Sequence, residues 1–304
     1  MKKVLVTGAS GFLGRYLPPH LNQSFGEIVV VGRSPWPGNL SSVKFHRADL
    51  LSDDHEALDE IGKLRADTLI HVAWCTEPGA YWTSIDNLKW MAASLNLVEN
   101  FIRNGGRRVV VVGTCAEYDW RYQMLVERET PLNPSTLYGQ AKASLNKTLQ
   151  TYADIHQVSF AWAHIFFPYG PYEKRRRLLS DLTFNLLNDI EMPVTAGAQI
   201  RDFMHVDDVA AGVAALAASE VNGPVNIASG DPRRLRDIIE MLAEATGRPH
   251  LVKYGARPPI FNDPLALTAS VKRLKEEVGF RPRFTLEDGL NSTVDWWRKQ
   301  LATT

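Results

Sequence analysis

The chain has 304 residues, 45% apolar and 22% charged, the balance of an ordinary globular protein able to bury a substantial core. Lys plus Arg number 34 and Asp plus Glu 34, so no net field draws it towards nucleic acid or a membrane surface. Two cysteines, Cys75 and Cys115, cannot build a disulfide framework. No apolar run approaches the ~20 residues of a membrane helix, and the basic start reaches Thr7 and Gly8 too soon for a signal peptide. A cytoplasmic protein is expected.

The first apolar run, Val4–Val6, leads straight into Gly8-Ala9-Ser10-Gly11-Phe12-Leu13-Gly14. Glycines directly after a strand permit a tight turn and close backbone approach. The helix start behind them offers unpaired N–H groups and a positive dipole end to a pyrophosphate. The spacing Gly-x-x-Gly-x-x-Gly departs from the Gly-x-Gly-x-x-Gly fingerprint. Pro18-Pro19 falls where the first helix should still run, and interior proline costs about 3 kcal/mol. A short or kinked helix restarting near Pro19 is therefore expected.

The second run, Ile28–Val31, ends in Gly32-Arg33-Ser34. An acid near this point binds both ribose hydroxyls in NAD-preferring folds, whereas an arginine accommodates the 2′-phosphate of NADP. The acid is missing, so Arg33, with Ser34 as a second donor, favours NADP(H), with NAD(H) possible; the alternative for Arg33 is a solvated loop residue. Asp49-Leu50, beyond Phe45, is placed to meet the adenine, and Asp49 equally suits capping the next helix.

Thr68–Ala73 and Val109–Val112 are further compact, β-branched runs, and helical spacing covers Ser84–Arg103 and Leu137–His156. The alternation predicts an α/β fold, a Rossmann-type doubly wound parallel sheet. Ser159–Phe166 reads as another strand, and Val225–Ala228 returns the chain to the sheet. After Phe167 come the basic run Glu173-Lys174-Arg175-Arg176-Arg177, an amphipathic stretch Leu178–Leu187 and, from Asp231-Pro232, short helical patterns between Pro- and Gly-containing loops. Two lobes are expected. Residues 1–167 and 205–231 would form the dinucleotide-binding domain, and 168–204 and 232–304 a smaller substrate-binding lobe over the carboxyl ends of the strands. The alternative is that these segments complete one compact domain.

Tyr138-Gly139-Gln140-Ala141-Lys142 puts a phenol and an ammonium on one helix face. A nearby cation favours phenolate, lowering a pKa that starts near ~10 towards one useful for proton transfer. Pro134-Ser135 offers a helix start before Tyr138, and Thr114 closes the strand Val109–Gly113, so all three belong at the carboxyl edge of the sheet.

Thr7–Gly14, His71-Val72-Ala73-Trp74, Gly113-Thr114, Tyr138–Lys142, Tyr169-Gly170-Pro171, Arg201–Asp208 and Trp296-Trp297 stand in one order along almost the whole chain. In this the sequence resembles the extended short-chain dehydrogenase/reductase family. The resemblance implies Tyr138 as general acid/base, Lys142 lowering its pKa while binding the nicotinamide ribose, and Thr114 hydrogen-bonding the reacting oxygen. It places cofactor contacts at Gly8, Ser10, Gly11, Phe12, Leu13, Gly14, Arg33, Ser34, Asp49, Leu50, Ala73, Tyr138, Lys142 and Phe166. Substrate contacts fall at Thr114, Glu117, Phe167, Arg201 and Arg257, the arginines suiting a diphosphate by their paired donors. Arg175, Arg176 and Arg177 add attraction or form a solvated face. Asp202, His205, Asp207 and Asp208 read as structural, and His71 as a buried strand-end residue. The resemblance also implies a homodimer in which Ser84–Arg103 and Leu137–His156 pair as a four-helix bundle.

Departures narrow the chemistry. Family dehydratases follow the catalytic Thr with Asp and Glu, where this chain has Cys115 and Ala116. The loop before Tyr169 usually carries Arg and Asn, and here holds His164 and Phe167, which puts the usual diphosphate contact in doubt. Gly113-Thr-Cys-Ala-Glu-Tyr118 most resembles ketoreductases of 4-keto nucleotide sugars; Glu117 there fits either substrate contact or a buried structural role. The expected activity is NADPH-dependent reduction of a nucleotide-activated 4-keto-6-deoxy sugar. The alternatives are an NAD-dependent nucleotide-sugar C4 epimerase and a non-catalytic nucleotide-binding regulator. His and carboxylates show no metal-ligand spacing.

Overall fold

The computed structural model describes residues 2–52, 55–259 and 263–303. Seven strands form the central sheet: β1 (Lys3–Thr7), β2 (Glu27–Gly32), β3 (Val43–Arg47), β4 (Thr68–His71), β5 (Arg108–Thr114), β6 (Ser159–Ile165) and β7 (Gly223–Ile227). Their order is β7-β6-β5-β4-β1-β2-β3, and every neighbouring pair is parallel.

Parallel crossovers put helices on both faces, which is why the strands read as unbroken apolar runs. Alternate residues go to opposite sides. Val4, Val6, Val110 and Val112 pack with Leu17, Leu21, Val209 and Val213. Leu5, Val109 and Val111 pack with Leu97, Phe101, Leu145 and Leu149. The edge strand β3 is different: its side chains are half-exposed or exposed, so it lacks the apolar run that marks the others.

The two prolines cause no break. A 3-10 turn, Gly14–Tyr16, leads into a five-residue helix, Leu17–Leu21, with Pro18 and Pro19 in its first turn. N–H groups there have no intrahelical acceptor, so their absence costs nothing. The helix is short, as expected, and starts two residues before Pro19.

Helices Asp86–Arg103 and Leu137–Ile155 agree with the sequence spacing to within two residues, and Leu178–Leu187 agrees at both ends. Thr136 caps the second of these, its hydroxyl accepting the Gly139 N–H at 3.1 Å. A separate apolar cluster joins Leu179, Leu182 and Leu186 to Ile238, Leu242, Leu290 and Val294 from helices Leu235–Thr246 and Leu286–Ala302. Leu267, Ala269, Val271 and Leu274 pack instead with the β7 side of the main sheet.

The chain leaves β1 in one direction, through β2 and β3, and returns at β4 to continue the other way. This reversal opens a crevice at the carboxyl ends of β1 and β4. No helix among the described residues is long and apolar enough to cross a membrane.

Candidate active site

The crevice is floored by backbone. Gly8 has φ +74°, and a Cβ there would lie 2.7 Å from the Ala73 nitrogen; one at Gly14 would lie 2.1 Å from the Gly8 oxygen. At Gly11 a Cβ would meet only the Gly8 oxygen, at 3.2 Å, so its outer side is open. Ser10 and Gly11 form the exposed rim, with Phe12 and Leu13 half-buried behind them. This concave glycine backbone fits the close approach that a dinucleotide pyrophosphate requires.

A buried relay braces the crevice. The Thr7 hydroxyl accepts the Val72 and Ala73 N–H groups at 3.2 and 3.3 Å and donates to His71 Nδ1 at 2.7 Å. His71 Nε2–H then donates to Ser94 Oγ at 2.8 Å, and Ser94 donates to the Trp90 carbonyl at 2.6 Å. This direction uses each proton once and assigns the Nε2–H tautomer. Burial, aided by the Lys142 charge, pushes the His71 pKa down to about 3, so the ring stays neutral. His71 is thus the buried strand-end residue its position suggests.

Tyr138 lies in the first turn of its helix, 7% exposed, with its N–H donating to the Trp82 carbonyl at 3.2 Å. Its phenol lies near enough to the Thr114 side chain for that group to favour the phenolate. Thr114 is held by a capping box: its hydroxyl accepts the Ala116 N–H at 3.2 Å, and Glu117 Oε1 accepts the Thr114 N–H at 2.8 Å. One turn along, Lys142 donates to the Val112 carbonyl at 2.7 Å and stands 3.9 Å from the centre of the Trp74 ring. The three residues read as catalytic are therefore gathered at one sheet edge.

Their electrostatics differ from the simple expectation. Burial pushes the Tyr138 phenol above its ordinary value, with Tyr81 adding to the rise and Thr114 opposing it. Burial also pushes the Lys142 ammonium down to about 7, against the pull of Glu117. Desolvation thus dominates at Tyr138 in this arrangement, while Lys142 is engaged by a carbonyl and an indole face.

Sequence reasoning missed the aromatic surround. Ring centres of Tyr81, Trp82 and Trp74 lie 4.9, 5.7 and 6.5 Å from that of Tyr138, and Trp120 lies 6.2 Å from Trp82. Trp74 Nε1 is tied to Asn87 Oδ1 and Trp120 Nε1 to the Cys115 carbonyl, both at 2.9 Å, so these indoles present their ring faces. Cys115 and Ala116 are buried beside them, and burial pushes the Cys115 thiol up to about 12. The only advance signal is the density of Trp74, Tyr81 and Trp82, whose spacing suits a helix face although that segment folds as turns.

The other candidate residues divide. Arg33 and Ser34 are exposed at the end of β2, and Arg33 makes no hydrogen bond or ion pair among the described residues. Asp49 closes a turn, its Oδ1 accepting the Leu51 N–H at 3.1 Å, while Leu50 packs against the core. Phe166 is buried in the sheet core. Phe167 is half-buried, 5.5 Å from Phe203 and 5.7 Å from the Arg201 guanidinium carbon. Arg201 is 5% exposed and already paired with Asp263 at 2.6 Å, which also accepts from Gln199 at 3.0 Å. Arg257 is exposed, anchored through its N–H to the Val194 carbonyl at 3.1 Å. Glu117 is the exception among the proposed substrate contacts: it has no solvent exposure, so the structural alternative is the one observed.

The basic run is solvated, with Lys174 and Arg176 exposed, and is also tied to its neighbours. Arg175 pairs with Asp181 at 2.6 Å, Lys174 with Glu77 at 2.5 Å, and Arg177 donates to the Tyr81 hydroxyl and the Thr76 carbonyl, both at 3.3 Å. Asp202 accepts from Ser229 and Gly230, and Asp208 from the Arg283 and Phe284 N–H groups. Asp207 pairs with His20 and Arg283, and His205 caps the helix that begins at Val206. These four acts are structural. No group of three or more His, Cys, Asp or Glu among the described residues is placed to hold a metal.

Comparison with known proteins places this geometry. A sequence model of the NAD dependent epimerase/dehydratase family matches residues 4–228. The UDP-glucose 4-epimerase of Corynebacterium glutamicum is 24% identical, covering 93% of this chain and 92% of its own. The dTDP-glucose 4,6-dehydratase of an Actinoplanes species is 26% identical, covering 97% and 98%. Among solved structures, the UDP-glucose 4-epimerase of Thermotoga maritima with UDP-glucose superposes with TM-score 0.85 at 24% identity, over 98% of this chain and 99% of that one. MoeE5 in complex with UDP-glucuronic acid and NAD superposes with TM-score 0.82 at 28% identity, also over 98% and 99%.

Proposed function

Because the chain belongs to the NAD dependent epimerase/dehydratase family, we propose that it is an NADPH-dependent reductase of a nucleotide-activated 4-keto-6-deoxy sugar. The observation that carries the reductive direction is the end of β2, where Arg33 is exposed without a partner among the described residues and no acid stands beside it. That favours a dissociable NADPH over a tightly held NAD. The dihydronicotinamide, when bound, supplies the hydride.

The chain's own residues handle the proton. Tyr138 gives its phenolic hydrogen to the alkoxide developing at C4, and the Thr114 hydroxyl supports the same oxygen. Burial favours the protonated phenol, which suits a donor. Lys142 offers its remaining N–H groups to the nicotinamide ribose. Cys115 and Ala116 supply neither acid nor base, so elimination of water is disfavoured. The apolar surround of Tyr138 suits a C6 methyl group, and Arg201 and Arg257 are the chain's contacts for the diphosphate. Trading the Asp263 carboxylate for a phosphate frees Arg201 Nη2, while Nη1 stays on the Ile200 carbonyl at 2.8 Å.

A second reading, a C4 epimerase with retained NAD, draws support from the epimerases among the relatives. It requires Tyr138 first to take a proton and then to return it. Purified protein incubated with nucleotide 4-keto-6-deoxy sugars and NADPH distinguishes the two. Stoichiometric NADPH consumption supports reduction; redox-neutral turnover with retained NAD overturns it. The helices Asp86–Arg103 and Leu137–Ile155 pack side by side and leave Leu88 exposed. They are inferred to meet a second copy as a four-helix bundle, and a purely monomeric mass by light scattering rejects that dimer.

A further inference from the structure

We propose that Glu117 is a positioning residue: its enclosed carboxylate is the counter-charge of Lys142 and the anchor of Thr114, and so it holds both partners of Tyr138 in place. The inference rests on the roles of Tyr138, Thr114 and Lys142 given above. It assigns a function to a buried acid that the chemistry otherwise leaves unused.

The geometry begins with Gly113. Lys142 Nζ sits on the Val112 carbonyl at 2.7 Å, and Glu117 Oε1 sits on the Thr114 N–H at 2.8 Å. The two opposite charges therefore flank one strand end, Val112-Gly113-Thr114. A Cβ on Gly113 would lie 2.6 Å from Glu117 Oε1 and 1.9 Å from Trp162 Nε1, so only glycine lets the carboxylate lie against the strand.

An ionised carboxylate with no solvent exposure costs several kcal/mol unless charge and hydrogen bonds compensate it. Oε1 has two donors, the Thr114 N–H and Trp162 Nε1 at 3.1 Å, while Oε2 has none. His164 Nδ1 stands 3.6 Å from Oε1, beyond a hydrogen bond, and is 3.2 Å from the Thr114 carbonyl, to which it donates. The neutral donors satisfy half the carboxylate and none of its charge.

The ammonium has the complementary need. Around Lys142 stand His71 and Trp74 at the end of β4 and Trp162 from β6 at 5.9 Å, while Glu117, on the turn after β5, acts on it by charge without an ion-pair contact. His71 is neutral and the rings carry no charge. Of these groups Glu117 alone opposes the ammonium, and burial otherwise drives it towards the neutral amine.

Glu117→Gln keeps the shape and the acceptor for the Thr114 N–H but removes the charge. In the first experiment, dinucleotide binding to wild type and variant is followed by fluorescence across pH. Loss of the Lys142 proton weakens binding, and the midpoint of that loss is expected to move down by about one pH unit in the variant, as removal of a close opposite charge requires. A carboxylate that only caps the turn leaves the midpoint unmoved, and that result overturns the proposal. In the second, denaturant unfolding without dinucleotide compares Lys142→Met with Lys142→Met/Glu117→Gln. Stranding the acid should destabilise the single variant, and neutralising the acid should recover stability. A double variant no more stable than Lys142→Met, or one that does not fold, overturns the proposal. Should wild type bind no dinucleotide, the functional reading fails while the unfolding pair still decides this one.

Discussion

The Arg177 guanidinium donates to the Tyr81 hydroxyl at 3.3 Å, and Tyr81 packs edge-on against Tyr138 with ring centres 4.9 Å apart. A residue beyond the main sheet thereby reaches the phenol proposed as proton donor through one intermediary. Arg177→Ala should cost under about 1 kcal/mol of stability, because the pair is part-exposed. It should nevertheless lower kcat/KM for the keto sugar roughly tenfold, since Tyr81 loses its tether. Denaturant melts beside steady-state kinetics check this; a loss of stability matching the loss of activity would argue for general loosening.

Tyr138→Phe keeps the ring packing among Tyr81, Trp82 and Trp74 and removes only the hydroxyl. Turnover should fall at least about 100-fold, the usual worth of a positioned acid. Dinucleotide affinity should stay within about twofold. Stopped-flow reduction and equilibrium titration on the same preparation separate the two; undiminished turnover removes Tyr138 as proton donor.

Arg33 stands exposed at the end of β2. Arg33→Asp should weaken NADPH binding about tenfold or more, by exchanging a phosphate-pairing fork for a repelling carboxylate, and should improve NADH binding. Affinities for the two dinucleotides, measured side by side, test it. Equal effects on both place Arg33 outside the adenosine contact.

Gly113→Ala introduces a methyl group 1.9 Å from Trp162 Nε1 and 2.6 Å from Glu117 Oε1. Overpacking of this kind costs about 1–3 kcal/mol. The unfolding midpoint should drop accordingly, and the Thr114 region should lose activity beyond what the melt explains. A variant as stable as wild type would mean that the strand end yields without strain.

His71 carries a pH signature. Its folded pKa, about 3, lies below the unfolded value near 6.5. Below pH 6.5 the unfolded chain binds the proton that the folded relay refuses. Its contribution is therefore complete above pH 6.5 and is lost as pH falls towards 3, by up to about 1.4 kcal/mol per unit. Unfolding free energies of wild type and His71→Asn across that window should show a shallower slope in the variant.

The sheet was legible because burial on both faces writes itself as uninterrupted Val, Ile and Leu, and the long helices because their apolar stripes face that sheet. Strand β3 was not, since an edge strand with solvent-facing side chains needs no such run. The same logic divides the site. Gly8, Gly14, Tyr138 and Lys142 are marked by local spacing, because backbone approach and a helix turn fix the residue type, whereas Thr114 was placed by a strand end and by the family resemblance. Tyr81, Trp82 and Trp120 converge from separate loops, so no local period records them. Glu117 was read two ways because its neighbours in sequence do not reveal that Trp162 and Gly113 enclose it. The basic run 174–177 hid its ties for a similar reason: Glu77, Thr76 and Tyr81 lie about a hundred residues earlier in the chain.

The indole of Trp74, resting 3.9 Å from the Lys142 ammonium and tethered through Asn87, gives the protein a built-in optical gauge. Emission from that ring responds to whatever displaces the cation beneath it. The chain has eight tryptophans, so comparison with Trp74→Phe isolates what this ring reports of a ligand's entry.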